Sequence, residues 1–87
     1  AEPNYFYGYL VEGIVARRAA MTSRATEAFE KALTLNPELA VAEFELGSMA
    51  AERGAKEEAA RRFRKALDID PMLYDARLAL KQLESTN

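Results

Sequence analysis

Three prolines, Pro3, Pro37 and Pro71, recur at intervals of 34 residues. The same offset relates Gly13 to Gly47, Ala16 to Ala50, Ala25 to Ala59, Phe29 to Phe63, Lys31 to Lys65, Ala32 to Ala66, Leu33 to Leu67 and Leu39 to Leu73. Laid on 40–73 without a gap, residues 6–39 agree at nine of 34 positions. Small residues at Gly8, Ala42 and Ala76 keep the same spacing, and a third copy starting at Tyr74 runs only to Asn87. A period of this length marks a supersecondary unit that cannot bury its apolar face alone, so neighbouring units must stack to make a core.

Each unit reads as two helices. Leu39, Ala42, Leu46, Met49 and Ala50 fall at helical spacing, and Gly54 supplies a stop where positive φ is easily reached. Ala59, Ala60, Phe63, Ala66 and Leu67 repeat the pattern, while Glu57–Arg61 and Glu58–Arg62 are acid-before-base pairs suited to an exposed face. Asn36-Pro37 and Asp70-Pro71 read as an N-cap followed by proline at the first helical position. Helices are therefore expected near 4–19, 23–35, 37–53, 56–69 and 71–84. In the first unit Ala20 stands where the second has Gly54, so the first helix is expected to overrun slightly, with Thr22 or Ser23 capping the next. β-branched residues are few and never alternate, which argues against strands.

These residues resemble the tetratricopeptide repeat, a 34-residue helix–turn–helix unit with the pattern W-x2-L-G-x2-Y…A-x3-F…P. The second unit matches at Leu46-Gly47, Ala59-x3-Phe63 and Pro71; the first matches at Tyr9, Gly13, Ala25-x3-Phe29 and Pro37. The departures are Glu43 at the large aromatic position, Ala16 and Ala50 in place of tyrosine, and Glu12 in place of the leucine before Gly13. The resemblance implies an all-α fold of antiparallel helix-turn-helix units, stacked as a short right-handed superhelix of about five helices. One domain over 1–87 is expected, with repeat one at 3–36, repeat two at 37–70 and a capping helix at 71–85. Arg77 and Lys81 suit that last helix, because a terminal cap must present a polar outer face.

Composition narrows the chemistry. Twelve Lys+Arg against fourteen Asp+Glu leave a net charge of −2, whereas nucleic-acid binders carry a basic surplus. The chain has neither Cys nor His, so disulfides, thiolate nucleophiles, the usual zinc sites and imidazole-activated serines are all excluded. No cofactor and no catalytic residue is expected, and the chain reads as something other than an enzyme. The most apolar stretch, 5–16, contains Glu12 and is too short to cross a bilayer. A soluble chain is expected, in the cytoplasm or, for a processed mature protein, the periplasm.

The resemblance also implies a concave surface lined by the first helix of each unit. Its wall would be Tyr7, Leu10, Ile14 and Arg17, then Val41, Phe44 and Ser48, then Leu78 and Gln82. That wall is mostly apolar, so the expected partner is an apolar or amphipathic protein or peptide segment, with Arg17 and Gln82 orienting it at the rim. A second reading rests on the first helix, where Tyr5, Phe6, Tyr9 and Val11 leave almost no polar side. Such an apolar surplus points to self-association into a homo-oligomer, or to contact with further repeats or the rest of a larger protein. The bland alternative is that the rings cover core while tyrosine hydroxyls reach water.

Overall fold

The computed structural model describes residues 5–85. Five α-helices make up the fold, α1 Phe6–Arg18, α2 Thr22–Leu35, α3 Ala40–Glu52, α4 Lys56–Ile69 and α5 Tyr74–Ser85, and no strand occurs among the described residues. Connections of three to four residues fold each helix back on its predecessor. α1 packs on α2 and α3 on α4, α2 meets α3 to join the two hairpins, and α5 lies against α4. The result is a flat block of 44 × 27 × 17 Å.

Two apolar clusters hold it. Leu10 and Ala16 of α1, Ala25, Phe29 and Ala32 of α2, and Ala42, Leu46 and Met49 of α3 form the first, so the second hairpin completes the core of the first. Ala50, Ala59 and Phe63 form the second, covered by Phe44 and by Ala79, Leu80 and Leu83 of α5. The repeated alanines are small where helices approach, and the repeated phenylalanines fill the space between them. Gly13 and Gly47 have a matching purpose: a Cβ at Gly13 would fall 2.6 Å from the Phe29 ring, and one at Gly47 would fall 2.7 Å from the Phe63 ring. Only a residue without a side chain leaves room for each phenylalanine ring against the helix it faces.

The connections differ from expectation in three ways. Pro37 and Pro71 do not open helices; α3 and α5 begin three residues later, at Ala40 and Tyr74. Asn36 and Asp70 instead close the preceding helices, their N–H groups donating to the Ala32 and Ala66 carbonyls in the extended conformation that a following proline favours. Their side chains accept the N–H two residues on, Glu38 N–H to Asn36 Oδ1 at 3.2 Å and Met72 N–H to Asp70 Oδ1 at 3.0 Å, turning the chain before the next helix starts. Neither Thr22 nor Ser23 caps α2: Met21 is the N-cap and makes no side-chain hydrogen bond.

The first helix also stops where the second unit's does. Ala20 takes a left-handed φ of +61°, matching Gly54 at +83°. Met21 N–H donates to the Ala16 carbonyl and Ala55 N–H to the Ala50 carbonyl, the same closure in both units. Position at the hairpin, not residue type, decides the backbone here. The start expected near residue 4 and the place of Pro3 lie outside the described residues.

Candidate interaction surfaces

On α1 and α3 the expected groove positions divide by burial. Leu10 belongs to the first core cluster and Phe44 packs on the Phe63 ring at 5.8 Å, so both are turned largely inward. Ile14 and Ser48 are half-buried, whereas Tyr7 (67% exposed), Val41, Leu78 and Gln82 face out. Beside Ile14 lies an open pocket of about 420 Å³, lined also by Arg17, Arg18, Glu45 and Glu52.

Arg17 does not stand free at the rim. Its guanidinium donates to Glu45 at 2.6 Å and to Glu52 at 2.5 Å, bridging α1 to α3. Burial works against its charge, but the hydrogen bonds to Glu45 and Glu52 and their fields outweigh it and hold the pKa above the ordinary arginine value. The charge is satisfied within the molecule. Arg18 borders the same pocket and is exposed.

The expectation that Arg61 and Arg62 pair with Glu57 and Glu58 on a wet face is corrected for Arg62 and Glu58. Glu43, at the position where the repeat pattern has a large aromatic, is only 1% exposed. Arg62 donates to it at 3.0 Å, Lys65 Nζ lies 3.2 Å away, and Arg62 also reaches Glu30 of α2 at 3.1 Å. Glu58 is taken by Arg53 instead. Burial again opposes the Arg62 charge, but the bond to Glu43 and the fields of Glu30, Glu43 and Glu58 raise its pKa above the usual value. Since Glu30 belongs to the first hairpin, Arg62 fastens the two hairpins together. The signal was present in the sequence as an acid in an apolar slot with Arg62 and Lys65 three apart; what hid it was that the partners lie 19 and 22 positions away.

The second surface is the outer side of α1. Of the residues singled out there, Tyr5 and Val11 are exposed, whereas Phe6 and Tyr9 pack partly on the first core cluster, Tyr9 with Lys31 Nζ 5.5 Å from its ring centre. Val15 is 61% exposed and Met21 is exposed as well. Val15, Ala16, Ala19 and Met21 floor a second open pocket, about 370 Å³, edged by Glu12 and Arg24. No group of three or more acidic, His or Cys side chains that could hold a metal occurs among the described residues, and no helix there is long and apolar enough to cross a membrane.

No protein-family model matches this chain, and no curated protein is similar to it.

Proposed function

We propose that the chain is a tetratricopeptide-like interaction module that receives an apolar or amphipathic protein segment along α1, α3 and α5. The observation that carries this reading is the exposure of Tyr7 and Val41, which the 34-residue offset relates, together with the exposed Leu78 of α5 and the half-buried Ile14. Large apolar groups left in water on successive helices are what a docked segment would cover. Orientation falls to Arg18 and Gln82, because Arg17 already has two carboxylate partners.

Panning a peptide-display library against the folded chain tests this. Selected peptides are expected to lose at least about tenfold in affinity against Val41→Asp or Tyr7→Ser, a truncation cost of roughly 1.4 kcal/mol or more, with the thermal midpoint unchanged. Binding indifferent to both variants rejects the groove.

A second reading, assembly through α1, is favoured by Val11 and Val15, which are exposed on one side of that helix together with Met21.

A further inference from the structure

The 34-residue offset places the outer face of α1 on the face by which α3 meets the first hairpin: Gly8 on Ala42, Glu12 on Leu46 and Val15 on Met49. In α3 those three residues are buried in the cluster built with α1 and α2. In α1 Val15 and Glu12 are exposed, and Tyr5 lies over Gly8 so closely that a Cβ there would sit 2.1 Å from its ring. Tyr5 thus covers part of what the first hairpin covers on α3, while being 55% exposed itself.

We propose that this face of α1 accepts a helical hairpin of the same 34-residue kind, seated as the first hairpin is seated on α3, and carrying a basic side chain opposite Glu12. The proposal rests on the assembly reading and names its partner. The interface that would form continues one the molecule already contains, between α2 and α3. Three features of the face fit it. Val15 and Met21 supply apolar contact beside a pocket whose floor is the small Ala16 and Ala19. Gly8 matches the small Ala42, and the Tyr5 ring that now covers it must swing aside. Glu12 replaces the buried Leu46, so a hairpin with only apolar residues there would strand a carboxylate away from water. Its present partner, Arg24 at 3.6 Å, leaves both side chains about half-exposed or more. The same chain shows how a carboxylate is accommodated between packed helices: Glu43 of α3 is buried against Arg62 and Lys65 of α4. The far end of the molecule is not equivalent, because Lys81 of α5 stands where Gly13 and Gly47 receive a phenylalanine.

The test inserts a copy of residues 40–73 directly ahead of Phe6 in the full chain, preserving the period. The thermal midpoint is expected to rise by about 5 °C or more, and to rise further with Glu12→Leu, which recreates the Leu46 contact. Val15→Asp is the deciding variant. In the parent chain it is expected to leave the midpoint unchanged, since Val15 is in water; in the extended chain it is expected to remove the gain. Sedimentation of the parent chain across concentration runs alongside. A Val15→Asp effect that is equally absent from both chains, with the parent monomeric, overturns the proposal and the assembly reading together. A parent dimer that Val15→Asp dissolves, with no gain from the added hairpin, retains assembly but overturns the hairpin partner in favour of a second copy.

Discussion

At the scale of single residues, Glu43 has the most at stake. A carboxylate removed from water is tolerated only when its lone pairs and charge are met, and here Arg62 and Lys65 meet them. The two cations are unequal: the Arg62 side chain is 19% exposed, the Lys65 side chain 60%. Glu43→Ala should therefore cost about 3 kcal/mol, because it opens a cavity and leaves Arg62 half-buried without its main partner, whereas Lys65→Ala should cost less than about 1 kcal/mol. Urea unfolding of both variants checks this, and equal losses would show that Arg62 is not the principal partner. Gly13 and Gly47 are the second residue-scale commitment. Gly47→Ala pushes a methyl into the Phe63 ring and should destabilise by roughly 1–3 kcal/mol; a neutral result would mean the ring has room to retreat.

At the scale of elements, the α1–α2 and α3–α4 turns form the same closure with different residues. Ala20 holds a left-handed conformation that an L-residue with a Cβ adopts at a cost of about 1 kcal/mol, and the packing of α1 on α2 enforces it. Ala20→Gly should accordingly raise stability by about 0.5–1 kcal/mol, and Gly54→Ala should lower it by a similar amount, both measured by chemical denaturation. A loss from Ala20→Gly would show that the strain is relieved in some other way. The proline connections teach a related lesson. Asn36 and Asp70 side chains capture the N–H two residues ahead, and this local bond competes with an immediate helix start.

At the scale of the whole molecule, stability passes from unit to unit. The first hairpin is completed by Ala42, Leu46 and Met49, and the second by Ala79, Leu80 and Leu83 of α5, in which Ala76 alone is fully buried among the described residues. Arg17 and Arg62 tie the two hairpins at separate places, through Glu45 and Glu52 on one side and Glu30 on the other. Deleting residues 71–87 should lower the protection of α3 and α4 amides against hydrogen exchange by at least about tenfold while α1 and α2 amides fall less, as expected where each unit leans on its neighbour. Uniform loss along the chain would indicate a single cooperative block instead.

The sequence by itself determined the period, the all-helical class, the alanines and phenylalanines of the core, and the span of α4 between Gly54 and Asp70. These follow from residues that are near one another in the chain or that repeat at a fixed offset, so local propensity and periodicity carry them. Tertiary structure alone decided that Leu10 and Phe44 turn inward, that Arg17 is spent on Glu45 and Glu52, and that Glu43 is a buried ion-pair partner rather than a gap in the packing. Each of those outcomes depends on which side chains from different helices come within bonding distance. Helix spacing names the face a residue occupies, but only the stacking of one hairpin on the next settles what waits opposite it.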